Sequence, residues 1–342
     1  MKFDVTLLSF DLSDIPAYAR AAEALGFDGF WLAETQADPF LGLVLAAEHT
    51  QSIELGTAIA VAFPRSPTVT AMMAWNIARL ANGRFHLGLG SQVKAHNVLR
   101  YGVPWEKPVK KMRETIEAVR AVWRCWQTGE PLDYVGEFFK LQLMTPFFNP
   151  GPIDKPHILI YLSAVNEQML QLAGQTADGV MLHALHSVPY IQDYALPHIE
   201  KGLAKRGAAR EGFSMVTAVF AIPTDKPQYA AWAKAHAKQQ ISFYLSTPAY
   251  RVLADLHGWQ DTARQLSQMA RANQWTAMPD LITDEILDVI AVTGTWAELP
   301  GIIMGKYGSL LDRVSYYLPF IPGENDAGWQ ASIQGFQRPF GP

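Results

Sequence analysis

Arg84-Phe85-His86-Leu87-Gly88-Leu89-Gly90-Ser91-Gln92 reads as a buried strand running into a turn of small residues. In a parallel barrel such a turn lies at the carboxyl end of its strand, where barrel enzymes build their sites. Paired glycines there let a flat ring or a phosphate come close to the backbone. The same turn also closes ordinary βα units, so on its own it assigns nothing. The surrounding pattern decides.

On both sides, short apolar runs alternate with amphipathic helical stretches, which is the signature of a parallel sheet covered by helices. Strands are predicted at residues 3–8, 30–33, 53–61, 84–87, 158–162, 179–182, 214–222 and 313–317. Between the first two, Ser13 or Asp14 can cap a helix with Pro16 in its first turn and Gly26 as its stop. Helices follow at 39–49 and 67–81, the latter with Val69, Met72, Met73, Ile77 and Leu80 predicted as its buried face. Another at 109–126 carries Ile116, Val119, Val122, Trp123 and Trp126, with Cys125 packed among them.

Eight such units predict a (β/α)8 TIM barrel, α/β in class, forming a single domain over residues 1–342. A hairpin insertion is expected near 130–142. The stretch before the eighth strand is too long for one connection, so it reads as a seventh helix at 229–244 followed by a helical cap near 246–295. The tail from 319 to 342, rich in Gly, Pro and Gln, is expected to wrap the surface or reach a neighbouring subunit. An open doubly wound sheet is the alternative. Against it, the glycine turn follows the fourth strand rather than the first, and Val93 stands where a dinucleotide fingerprint needs glycine.

Composition narrows the function classes. With 342 residues, 49% of them hydrophobic, the chain can bury a large core. A net charge of −4 gives no field suited to nucleic acid or an anionic membrane. The single cysteine excludes an internal disulfide and a thiolate metal cluster. Residues 1–8 pass straight into a strand with an acid at Asp4, unlike a signal peptide, so a cytoplasmic protein is expected. Hydrolase and triphosphatase anchors are missing: the sequence has no GxSxG, HExxH or GxxxxGK[ST] motif. Ten tryptophans suit either a well-filled core or a pocket for a planar ligand.

Just past the predicted strand ends lie Ser9 and Phe10; Glu34, Thr35 and Gln36; Ala58, Ile59 and Ala60; Ser91, Gln92 and Lys94; Ser163 and Ala164; and His183 and His186. A carboxyl at the mouth of an apolar pocket, as Glu34 would be, can act as acid, base or acceptor, or can complement the dipole of the following helix. The two histidines fit phosphate contact or loop backbone, and no metal site is predicted.

Four stretches carry a resemblance: Gly26-Phe27-Asp28-Gly29-Phe30-Trp31-Leu32-Ala33-Glu34; Ile53-Glu54-Leu55-Gly56-Thr57-Ala58-Ile59; Asn82-Gly83-Arg84-Phe85 leading into the GLGS turn; and Ala177-Asp178-Gly179. Together they resemble the bacterial luciferase-like superfamily, in its branch of coenzyme F420-dependent oxidoreductases. The resemblance implies a usually dimeric (β/α)8 barrel that holds a deazaflavin, or alternatively FMN, at its mouth and acts on a small-molecule substrate. It implies a bulge with a non-proline cis peptide at Ala58-Ile59 behind the ring, and ring or side-chain contacts from Gly90, Ser91 and Gln92. Ser163, Ala164 and Val165, with Gly179 and His183, would surround the phosphate, and Glu34 is the expected catalytic group. Sugar-phosphate dehydrogenases of this branch carry a histidine where Thr35 stands and a glutamate where Val93 stands, so their alcohol-oxidation roles are not transferred.

Overall fold

The computed structural model describes residues 1–338. Eight parallel strands form the barrel: β1 (Lys2–Leu7), β2 (Gly29–Leu32), β3 (Glu54–Thr57), β4 (Phe85–Gly90), β5 (Ile160–Ser163), β6 (Gly179–Met181), β7 (Ser214–Val219) and β8 (Arg313–Tyr316). Each pairs with its sequence neighbours except where the ring closes, at β1 with β8. β3 pairs with β4 through Leu55 to Phe85 and Gly56 to His86, so no edge is left open.

Alternation along each strand builds two cores. Phe3, Val5 and Leu7 of β1 point outward into the main core under the helices, while Asp4 and Thr6 face inward. A separate apolar cluster of Trp31, Tyr161, Met181 and Val216 fills the barrel interior. Below it, at the strands' amino ends, Arg313 donates to both carboxylate oxygens of Asp4 at 2.8 and 2.7 Å and also pairs with Glu54. Its guanidinium lies 5.2 Å over the Trp31 ring. Burial alone would lower this group, yet the charges of Asp4 and Glu54 raise it, so the arginine stays charged in the floor.

The connecting helices begin and end where local chemistry dictates. α1 (Ile15–Leu25) stops at Gly26, whose φ of 98° is a left-handed position that glycine tolerates. α2 (Pro39–His49) is capped by Asp38, which accepts from the Phe40 amide, and α3 (Pro67–Leu80) by Ser66, which accepts from Val69. α3 turns only part of its predicted apolar face inward, keeping Ile77 and the partly buried Met73. Ala71, Ala74, Trp75, Ile77 and Ala78 are buried, whereas Val69, Met72 and Leu80 are exposed. Small residues let the helix lie close on the barrel, and Trp75 packs against Trp126 of α4 (Pro108–Thr128) at 5.8 Å between centroids. Residues Tyr134–Val135 and Lys140–Leu141 pair as an antiparallel hairpin.

After α5 (Glu167–Thr176), α6 (Leu196–Lys205) and β7, the chain leaves the barrel at Ala221–Pro223, which pairs in parallel with Val292–Gly294. Between these short strands run α7 (Pro227–Leu245), α8 (Arg251–His257), α9 (Gln260–Arg271) and α10 (Asp284–Ile290). The helix over 229–244 therefore belongs to the excursion. α11 (Leu299–Tyr307) is the helix that leads back into β8. The tail also differs from expectation, because α12 (Asp326–Gln337) buries Trp329, Ile333 and Phe336 and stacks Phe336 on Phe3 at 4.6 Å. It is the eighth helix of the barrel. Residues 339–342 of that tail lie outside the described residues.

Candidate active site

A cavity of about 540 Å³ opens at the carboxyl ends of the strands, a size suited to a small-molecule site. Asp4 and Trp31 form its depth, with Ala58, Ile59, Ser163, Met181 and His183 on its strand-end walls. Tyr18 of α1, His236 and Tyr244 of α7, and the segment from Tyr316 to Ile321 complete it. Aromatic and aliphatic side chains make up most of its lining.

The peptide bond between Ala58 and Ile59 is cis. The bulge is held from both sides: Glu34 N donates to Ile59 O at 3.2 Å, Ala58 N donates to Leu32 O at 2.8 Å, and Ala62 N donates to Gly90 O at 2.9 Å. A Cβ at Gly90 would come within 2.7 Å of Ile59 Cδ1, so an added methyl would displace that side chain. A glycine on β4 thus lets Ile59 lie flat against the wall. At Gly88 the demand is harder, since a Cβ would meet the Thr57 carbonyl oxygen at 1.9 Å.

Glu34 is engaged on both carboxylate oxygens. Its Oε2 accepts from the Val61 amide and from Arg65 Nη1, each at 2.7 Å, and its Oε1 accepts from the Tyr101 hydroxyl at 3.1 Å. Arg65 also donates to Asp38 at 2.7 Å. The carboxylate is occupied behind the bulge and is not among the residues that line the cavity, an arrangement that fits a positioning role at the Ala58-Ile59 wall. Gly179 is a correction. It opens β6, paired with Tyr161 and Ser214, at the strand's amino end and away from the mouth. A Cβ there would meet Ser214 O at 2.5 Å, so packing explains the glycine.

Beyond Gly90, Gln92 takes a left-handed φ of 58°, and Ser91 donates to the Gln92 carbonyl at 3.1 Å. Asn97, fully buried, fastens this turn by donating to Ser91 O at 2.8 Å and Val93 O at 3.1 Å. Ala164 N donates to Met181 O, and the Val165 carbonyl accepts from the Tyr190 hydroxyl at 2.6 Å. Of the predicted site residues, Ala58, Ile59, Ser163 and His183 line the cavity; Gly90 presses on Ile59 from behind it.

His183 accepts the Leu185 amide on Nδ1 at 3.0 Å, which fixes its hydrogen on Nε2. Burial pushes its pKa down to about 3, so the ring is neutral. It packs edge-on to Tyr244 at 4.3 Å and against Tyr250 at 4.5 Å. His186 turns away into the core, with Nε2 3.3 Å from Ala218 O and its ring against Tyr307. Among the described residues no group of three or more His, Cys, Asp or Glu is placed to hold a metal ion.

Tyr244, Tyr317 and His236 are cavity residues that sequence reasoning missed. They come from the excursion and from the segment after β8, where no periodic signal marks a side chain as pocket-facing. Tyr244 and Tyr317 share a hydroxyl hydrogen bond of 2.6 Å, and Tyr317 also donates to Gln240 Oε1 at 3.3 Å.

Comparisons with known proteins agree with this architecture. Residues 3–310 match the family described as Luciferase-like monooxygenase. The chain is 39% identical to a Mycobacterium tuberculosis protein named "Uncharacterized protein Rv1360", over 94% of this chain and 95% of that one. It is 30% identical to a 5,10-methylenetetrahydromethanopterin reductase of Archaeoglobus fulgidus, over 86% of each chain. The structure of coenzyme F420-dependent tetrahydromethanopterin reductase from Methanopyrus kandleri superposes with a TM-score of 0.80 at 21% identity, covering 98% of this chain and 97% of that one. The chain is thus an enzyme of the oxidoreductase class and belongs to the luciferase-like monooxygenase family.

Proposed function

We propose that this chain uses coenzyme F420 to transfer hydride to or from a small organic substrate in the cavity at the barrel mouth. The observation that carries the reading is the aromatic-lined cavity of about 540 Å³ at the barrel mouth, with Ala58 and Ile59 on its wall and Gly90 behind them. Such a wall fits the face of a flat tricyclic ring. The relative from Archaeoglobus fulgidus, named as a reductase, and the likeness to an F420-dependent enzyme support the deazaflavin over FMN.

Bound there, the deazaflavin would supply the hydride-carrying carbon. The chain's own residues do the rest. Ala58 and Ile59 back the ring, with Gly90 as their support; Ser91, Gln92 and Ser163 lie where they can meet its edge or side chain; and exposed Lys94 stands beside that turn for an acidic tail. The aromatic wall of Tyr18, Tyr316, Tyr317 and Phe320 excludes water and orients the substrate.

Titrating the purified protein with F420 and with FMN, followed by cofactor fluorescence, tests this reading. Micromolar binding of F420 without comparable FMN binding supports it. FMN binding alone would instead make the chain a flavin-dependent monooxygenase, the reaction for which the family is described.

A further inference from the structure

We infer that His236 of α7 is the group that exchanges a proton with the substrate when hydride moves in the cavity, an inference that rests on and deepens the oxidoreductase reading. Hydride from the reduced deazaflavin brings two electrons to a C=O or C=N carbon, the π pair passes to the oxygen or nitrogen, and that atom takes up one proton. Oxidation runs the same step backward and releases it. The group that serves has to line the cavity, keep an atom free for the ligand and titrate near neutrality. The other ionisable side chains on the lining each fail one condition. Asp4 is bound on both oxygens by Arg313. Burial lowers His183 to about 3, so its ring does not charge. Tyr18, Tyr244, Tyr316 and Tyr317 are phenols, and burial raises them further above an ordinary value of about 10.

His236 meets all three. It lines the cavity yet is only half-buried, so water can reload it. Among the described residues neither ring nitrogen has a hydrogen-bond partner, and burial alone lowers its pKa from 6.5, by less than it lowers that of the more enclosed His183. The ring lies nearly parallel to Trp232 at 5.3 Å and 8°, and to Tyr317 at 6.3 Å and 28°. Stacking of that kind engages the faces of an imidazole and leaves its edge, which carries both nitrogens, to a ligand. Tyr317 is itself fixed, accepting from Tyr244 at 2.6 Å and donating to Gln240 Oε1 at 3.3 Å. No charged side chain packs on the ring: its neighbours are the Trp232 indole of its own helix and the Tyr317 phenol after β8, with the groups just named around the cavity. Lys234 and Lys238 of α7 turn to Asp284 instead.

Benzoate stands in for the negative charge that forms on the substrate's oxygen or nitrogen. It is titrated into the full-length protein by calorimetry in two buffers of different ionisation enthalpy, which counts the protons taken up on binding. Near pH 6.5 the parent is expected to take up a fraction of a proton per benzoate bound, and affinity should rise about fivefold or more from about pH 8 to about pH 5.5, because the anion favours the imidazolium. In H236Q both the uptake and the pH dependence should disappear. H236F keeps a ring beside Trp232 and Tyr317 and serves if H236Q does not fold. No benzoate binding at any pH, no proton uptake by the parent, or uptake of the same size in the variants overturns the assignment. So does loss of benzoate binding when F420 is saturating, since His236 would then face the cofactor. If F420 fails to bind yet the uptake depends on His236, the exchange group stands and the cofactor reading falls.

Discussion

Arg65 Nη1 and Glu34 Oε2 lie 2.7 Å apart in a largely buried ion pair that also holds the Val61 amide, directly behind the bulge at Ala58-Ile59. The acid at the end of β2 therefore shapes the cavity wall from outside it. Glu34→Gln should weaken cofactor binding about tenfold or more, and lower stability by about 1–3 kcal/mol, while kcat at saturating cofactor stays within a few-fold of the parent. Kinetics at varied cofactor concentration check this. A fall in kcat alone, with affinity intact, would return Glu34 to a chemical role.

Two glycines of one strand should respond differently to alanine. At Gly90 the new methyl meets Ile59 Cδ1, the movable end of a side chain, and pushes it into the cavity. Gly90→Ala should fold and lose cofactor affinity by roughly tenfold. At Gly88 the methyl meets the Thr57 carbonyl, which cannot move without breaking the β3–β4 closure, so Gly88→Ala should cost several kcal/mol and yield little soluble protein. Thermal denaturation beside a cofactor titration separates the two.

Acid should destabilise the fold through its buried histidines. Burial lowers His186 to about 4 and His183 to about 3 in the folded chain, against about 6.5 when unfolded. The unfolded chain thus binds more protons between those values. Stability contributed by the neutral rings is complete above about pH 6.5, declines as the pH falls, and levels off below about 3–4, by on the order of 3 kcal/mol for His186. The melting temperature of the parent should drop more steeply from pH 7 to 4.5 than that of His186→Gln. Equal slopes would remove the histidine from this account.

Leu41 and Val44 on α2 and Val69 and Met72 on α3 remain exposed, at 57%, 38%, 47% and 49%, on two neighbouring helices. A second copy of the chain is expected to cover them. Light scattering should report a dimer for the parent and a monomer for the double variant V69E/M72E, with the melting temperature lowered by dilution only in the parent. A monomeric parent would refute this.

Much of the barrel was legible because each strand is a short apolar run and some helices open on a capping residue followed by proline, as at Asp38-Pro39 and Ser66-Pro67. The bulge was legible only through the resemblance, since nothing in the chemistry of Ala58 and Ile59 announces a cis bond. Reading failed where tertiary context outweighs pattern. Counting large apolar residues on α3 selected Val69 and Met72, yet close approach to the barrel favours Ala71, Ala74 and Ala78. Gly179 looked like a ligand contact and is a packing glycine at the wrong end of its strand. Tyr244 and Tyr317 were invisible, because a pairing between residues 73 positions apart leaves no local trace.

The Asp4–Arg313–Glu54 cluster stoppers the foot of the cylinder. Among the described residues the cavity therefore opens at the rim, beside the excursion. Were a cofactor and a substrate to share such a blind well, the deeper would be expected to arrive first and depart last, giving turnover an order of entry and exit.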